Sequence, residues 1–266
     1  MAFHIQYAAA SFTGLARVSN EDNLYVNGKY KQPDDDKDHF LSGQVPVSRK
    51  PAFGVFDGMG GESQGEMAAY TAASSFRETI RRKPTLQEWM FPKNYLRESC
   101  ISLNRAVCEY ADTHKIRSMG TTASLLLFQK DKVIWANLGD SRVYRIRPDL
   151  ERNDLTDGDR IRQLSVDHIE KSRLRKKGPL TQFLGIPERE MQIEPHIDQE
   201  KLRKGMVYLI CSDGVTDLLD EKDLFQFVSA VDDVQEAVKD IKEQIIKRGA
   251  PDNATLVLCK VGEGQE

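Results

Sequence analysis

The chain predicts an α+β fold in which antiparallel sheets pack together beneath covering helices. Three observations carry that expectation. Residues 121–129, 132–138 and 142–147 are rich in β-formers and separated only by short turns, a spacing for hairpins that leaves no room for βαβ crossovers. Residues 63–83 and 94–115 repeat their apolar positions at helical intervals instead. No Pro/Gly/Ser linker and no internal repeat divides the 266 residues, so one domain over 1–266 is expected.

Taken in order, residues 3–12 and 22–28 read as strands. Residues 29–50 are polar, with an acidic cluster at Asp34, Asp35, Asp36 and Asp38, and read as a surface hairpin or loop. The run Phe53–Phe56 is a short buried strand. The helix over 63–83 opens on a capping-box pattern, Ser63 with Glu66, and stops at Arg81, Arg82, Lys83 and Pro84. Its stripe of Gly65, Ala68, Ala69, Ala72, Ala73, Phe76 and Ile80 is small enough to lie close on a sheet. The helix over 94–115 presents Leu96, Cys100, Leu103, Val107 and Tyr110 on one face. After the β-rich block, strands are expected near 191–197 and 205–211, and helices near 221–229 and 233–248. Asp232 is expected to cap the last helix, and Gly249 and Pro251 to end it. A final strand covers 254–260.

Several of these apolar runs end in an acid. FGVFDGMGG stops at Asp57, with Gly58, Gly60 and Gly61 free to take unusual backbone angles. MVYLICSDG stops at Asp213 and WANLGDSR at Asp140, Asp252 stands just before the strand of APDNATLVL, and Glu21 and Asp22 precede another strand. One such acid is an ordinary turn. Four or five on separate strands point to carboxylates gathered at one end of a sheet. Two carboxylates ~4 Å apart repel by roughly 4 kcal/mol at an effective dielectric near 20, so they protonate or a cation neutralises them. Oxygen-only donors select Mg²⁺, Mn²⁺ or Ca²⁺, and no His or Cys stands near these acids in a zinc-like spacing. A pair of such ions clamps a phosphoryl group, so the residues point to metal-assisted hydrolysis.

Bulk properties narrow the class. The composition, 39% hydrophobic and 30% charged, suits a globular protein, and a net charge of −3 gives no reason to expect nucleic-acid binding. The N-terminus is a poor signal peptide and no stretch approaches a membrane span. Cys100, Cys108, Cys211 and Cys259 are scattered and read as buried free thiols, which with the missing leader implies a cytoplasmic protein.

The segments ARVSNEDNLY, FGVFDGMGG, MGTTASLLL, ANLGDSRVYRI, LSVDH, LTQFLG, LICSDGVTDLL and APDNATLVL, in this order, resemble the PPM-type (protein phosphatase 2C) family of metal-dependent Ser/Thr phosphatases, in its bacterial stand-alone form. The resemblance runs from about Ala8 to Val261. It implies a four-layer αββα sandwich of two antiparallel sheets flanked by helices. It also implies hydrolysis of phosphoserine and phosphothreonine in proteins by a hydroxide bridging two Mn²⁺ or Mg²⁺ ions, with a third, weaker ion site. By the same resemblance, Asp57 bridges both ions, the Gly58 carbonyl is a ligand of the second, and Asp213 and Asp252 are ligands of the first. Glu21 and Asp22 support the site through water, Asp140 helps hold the third ion with Asp213, and Arg17 binds phosphate. The implied partners are phosphoproteins opposing a Ser/Thr kinase, with the enzyme a monomer.

Met59 stands where many eukaryotic members carry a histidine, and it cannot donate a proton to the leaving oxygen. His168, in LSVDH, reads as structural, as do His4, His39, His114 and His196. The basic run 170–177 reads as a solvated face, with docking of acidic substrates as the sharper alternative. Other phosphatase chemistries lack their motifs. Cys100 is followed by Arg105, one residue short of Cys-x5-Arg, the nearest D-x-D match (Asp157, Asp159) lies in a polar turn, and no P-loop is present. A metal-free pseudophosphatase is the rival from another class, and a narrowly specific regulatory phosphatase is a second.

Overall fold

The computed structural model describes residues 2–264 apart from 34, 36, 61–63, 83–84, 86–89, 149–159 and 171–177. Two six-stranded sheets dominate. The first runs β11(Ile161–Gln163)–β10(Arg142–Ile146)–β13(Val207–Cys211)–β14(Ala254–Gly264)–β1(Ala2–Phe12)–β4(His39–Pro46). The second runs β12(His196–Lys201)–β9(Lys132–Leu138)–β8(Ala123–Gln129)–β5(Ala52–Phe56)–β2(Asn23–Val26)–β3(Lys29–Tyr30). Neighbours pair antiparallel throughout, as the short turns predict. A two-stranded ribbon, β6(Gly58–Met59) with β7(Gly120–Thr121), stands apart.

Three apolar clusters separate four layers. Alternation along each strand divides its side chains between two of them. On β14, Leu256 and Leu258 face a cluster with Val238, Ile241 and Ile245 of α5(Val234–Lys247) and Leu224 of α4(Glu221–Ala230). The intervening Val257, Cys259 and Val261 face the second sheet. On β8, Leu126 and Phe128 look into that same inter-sheet cluster. Leu125 and Leu127 look the other way, towards Ala69, Ala72 and Phe76 of α1(Gln64–Arg81) and Leu96 and Leu103 of α2(Pro92–His114). The αββα sandwich follows, and it explains why these antiparallel strands read as continuous apolar runs: both faces of each sheet are covered. The small residues of α1 serve as expected, since Ala68, Ala69, Ala72 and Ala73 are all buried.

Several elements depart from expectation. The polar stretch 29–50 holds β3 and the eight-residue edge strand β4, which pairs with β1. In its acidic cluster, Asp35 lies 3.3 Å from His39 and Asp38 lies 2.5 Å from Lys242, so both described acids are matched by the chain's own bases; Asp34 and Asp36 lie outside the described residues. The strand expected near 191–197 is His196–Lys201. Asp233, and not Asp232, caps α5, accepting from Gln235 N. Glu66 turns inward to Lys31, while Ser63, its expected capping partner, and residues 171–177 of the basic run lie outside the described residues. Cys100, Cys211 and Cys259 are buried free thiols and Cys108 is half-buried. Among the described residues, no helix is long and apolar enough to cross a membrane.

Register sets where the acids go. In the second sheet, Asn23 pairs with Phe56 and Ala123 with Leu138, which brings the start of β2, the end of β5, the start of β8 and the end of β9 to one edge. In the first, Arg142 pairs with Cys211, Cys211 with Leu256 and Phe12 with Ala254. That edge receives the end of β13 and the start of β14.

Candidate active site

At this common edge lies an open cavity of about 410 Å³. Arg17, Glu21, Asp57, Gly58, Asp140, Asp213 and Asp252 all line it. Asp22, the remaining expected site residue, is buried behind the lining, where it accepts a hydrogen bond from Ser212 Oγ at 2.8 Å. The structure therefore brings together residues separated by as many as 235 positions, Arg17 and Asp252 being in direct contact.

Each acid is fixed by its element. Asp57 follows β5, and its N–H donates to Thr122 Oγ1 at 3.0 Å while its carbonyl accepts from Thr122 N at 2.9 Å. Thr122 Oγ1 in turn contacts Ser141 Oγ at 2.7 Å. Asp213 opens the one-turn helix α3(Asp213–Thr216) directly after β13. Asp140 follows a turn whose Gly139 has φ +95°, a left-handed conformation glycine takes without strain. His168 holds that turn: its ring Nδ1 accepts from Gly139 N at 3.2 Å and its backbone N–H donates to the Gly139 carbonyl at 3.0 Å. The structural reading of His168 is therefore right, and burial lowers its pKa. Gly58 lies so near the first turn of α1 that a Cβ there would meet the carbonyl oxygens of Gly65 and Glu21.

The electrostatics carry the signature of crowded carboxylates. Asp57 is held well above the usual carboxylate range, by burial first and then by Asp22, Asp213 and Asp140, and it shares a hydrogen bond with Asp213. Burial pushes Asp22 up to about 7, against the hydrogen bonds from Thr255 and Ser212 that favour its anion. Burial also raises Glu21. Asp252 is occupied differently: Arg17 reaches it through Nε and Nη2, both at 2.9 Å, and this bond raises the Arg17 pKa. Among the described residues, no three acids, histidines or cysteines close on a point as a ready-made ion cage. The donor set nonetheless fits hard cations. The lining offers carboxylates and the Gly58 carbonyl but no histidine and no cysteine, and its acids are raised in the way that a bound cation would reverse.

Sequence reasoning passed over the residues that hold these groups. Asn253 is the foremost. Its Nδ2 donates to the carbonyls of Thr13 and Ser19, both at 2.9 Å, and its Oδ1 accepts from Glu21 N at 2.9 Å. One buried side chain thus closes the loop that carries Arg17. Its signal was present in the D-N pair of APDNATLVL, but an Asn after an Asp before a strand reads as a turn. Lys31 was hidden by its polar surroundings. It is 1% exposed, its Nζ donates to the Asn20 carbonyl, and Glu66 lies 3.9 Å away. Asn253→Ala is expected to lower kcat/KM for phosphoesters roughly 10–100-fold, as loss of an orienting side chain does. The loss should fall mostly on KM, because the Arg17 loop loosens while the acids stay. Steady-state kinetics on p-nitrophenyl phosphate check this, and a loss confined to kcat would contradict it.

A two-sheet sandwich with an oxygen-lined acidic cavity at one edge defines the class, and comparison with known proteins gives the family. The protein phosphatase 2C profile matches residues 27–254, most of the chain, so the chain belongs to the protein phosphatase 2C family. It is 25% identical over 268 residues to the serine/threonine protein phosphatase PstP of Mycobacterium tuberculosis, covering 97% of this chain but only 45% of PstP. It is 23% identical over 252 residues to the serine/threonine phosphatase stp of Listeria innocua, covering 93% of this chain and 92% of that protein. In structure it is similar to M. tuberculosis PstP, with a TM-score of 0.75 at 21% identity over 98% of this chain and all of that one. The catalytic domain of PstP in complex with two manganese ions gives 0.72 at 22% identity over 98% of this chain and all of that one.

Proposed function

We propose that the chain is a metal-dependent protein phosphatase that hydrolyses phosphoserine and phosphothreonine. One observation carries the reading: Arg17, Glu21, Asp57, Gly58, Asp140, Asp213 and Asp252, drawn from five separate stretches of sequence, line a single cavity. Family membership and the two manganese ions of PstP support it.

Asp57, the Gly58 carbonyl, Asp213 and Asp252 are assigned as the groups that hold two Mn²⁺ or Mg²⁺ ions. Glu21 and Asp22 stand behind them, and Asp140 with Asp213 is assigned to a weaker third site. Ions bound there would supply water activated for attack and positive charge for the phosphoryl oxygens. The chain's own residues do the positioning. Arg17 offers a planar, permanently charged fork for two phosphate oxygens. Its present partner Asp252 is an exposed ion-pair partner, a contact worth about 0–1 kcal/mol, so an arriving phosphate displaces it at little cost. Thr122, bonded to both backbone groups of Asp57, keeps that carboxylate aimed into the cavity. Met59 lines the cavity and cannot give a proton, so the departing Ser or Thr oxygen takes one from water. Phosphoprotein substrates supplied by a Ser/Thr kinase, action in the cytoplasm and a monomeric state complete the proposal.

The test is hydrolysis of p-nitrophenyl phosphate and of phosphoserine and phosphothreonine peptides with millimolar Mn²⁺, with and without EDTA. Turnover that needs the ion is expected. A protein inert towards every phosphoester in Mn²⁺ would be a pseudophosphatase, and turnover indifferent to EDTA would refute the ligand assignment.

A further inference from the structure

The loop that carries Arg17 also carries two apolar side chains that face solvent. Leu15 is 65% exposed and Val18 is 98% exposed, two positions before and one after the arginine. Single exposed aliphatics are common and call for no explanation. These two differ in where they are held. Asn253 clamps both ends of the loop through Thr13 and Ser19, and Leu15 N donates to the Ala250 carbonyl at 2.8 Å. A loop pinned at both ends and in its middle cannot fold its apolar side chains away. It displays them in sequence on either side of Arg17, itself a lining residue of the cavity. The cavity lining is itself partly apolar, with Met59, Pro179 and Leu180.

We propose that residues 13–19 form a substrate-reading loop, in which Arg17 takes the phosphate and Leu15 and Val18 take an apolar side chain lying within two residues of the phosphorylated Ser or Thr. This rests on the phosphatase reading above and specifies its substrates. An extended segment advances about 3.3 Å per residue, so a neighbour one or two positions from the phosphoresidue reaches side chains flanking the arginine that grips the phosphate.

The experiment compares kcat/KM, in Mn²⁺, for two phosphothreonine decapeptides that differ only in having Leu or Ser on both sides of the phosphothreonine. The wild-type protein is expected to prefer the Leu peptide by about tenfold, the partial burial of one or two aliphatic side chains. The preference should reside in KM. In Leu15→Ser/Val18→Ser the ratio should fall below about twofold, the preference having lost its apolar contact. Leu15→Ile/Val18→Ile should keep it. Equal rates for the two peptides in the wild type, or a preference that survives the double serine variant, overturn the proposal. So does a preference for acidic flanks, which would assign substrate reading to the basic run 171–177. Failure to turn over either peptide or p-nitrophenyl phosphate overturns the phosphatase reading as a whole, whereas turnover with a flat ratio overturns the loop assignment alone.

Discussion

Asp57→Asn is expected to lower kcat on the order of a thousandfold and, at the same time, to raise the melting temperature of the metal-free protein. The two signs have one cause. Asp57 is the acid with the most crowded surroundings, raised by burial and by Asp22, Asp213 and Asp140. A carboxylate in that position is tolerated for what it binds and not for what it adds to the fold. Asparagine keeps the shape, cannot ionise and can donate to Asp213, so without metal it removes the cost of holding a proton that the unfolded chain releases, worth about 1–2 kcal/mol. For a chain of this length that corresponds to a rise of roughly 2–4 °C. The same change removes the anionic oxygen assigned to both ions, and loss of one preorganised charge at a reacting phosphoryl group costs about 10²–10³ in rate. Activity in Mn²⁺ and calorimetry in EDTA give the two readings. A variant with more than a tenth of wild-type activity, or one that melts below wild type in EDTA, would remove Asp57 from the assigned role.

The layers and the acids were legible in the sequence for different reasons. Strand ends can be read because an apolar run must stop where the chain meets water, and an acid at the stop is conspicuous. Asp57, Asp140 and Asp213 were found in this way, and register then carried them to one edge. The supporting groups were illegible because their roles depend on contacts between distant segments. Lys31 sits in a polar stretch that reads as a solvated loop, yet it is buried against Asn20 and Glu66. β4 alternates weakly because much of it faces solvent, so only its pairing with β1 makes it a strand. Thr122 and Asn253 are ordinary turn residues until the structure brings Asp57 and residues 13–21 to them.

The metal-free protein is expected to lose stability as pH rises from about 4 to about 7, and Mn²⁺ to restore more of it at pH 8 than at pH 5. Asp22 carries the argument. Its folded pKa is raised to about 7, chiefly by burial, whereas an unfolded chain ionises it near the ordinary value of 3.8. Between those limits the native state holds a proton that the unfolded state releases. Stability is therefore complete below about 4 and declines until the group ionises in the fold, at about 1.4 kcal/mol for each pKa unit. Asp57 and Glu21, also raised, add to the same slope. Cations bind the deprotonated oxygens, so their stabilisation grows as the protons leave. Melting curves in EDTA and in millimolar Mn²⁺ at pH 5, 6, 7 and 8 measure both effects. The gap between the two series should widen with pH. An EDTA series flat from pH 5 to 8 would mean that these acids ionise alike in the folded and unfolded chain. Superimposed series at every pH would mean that the cavity holds no cation.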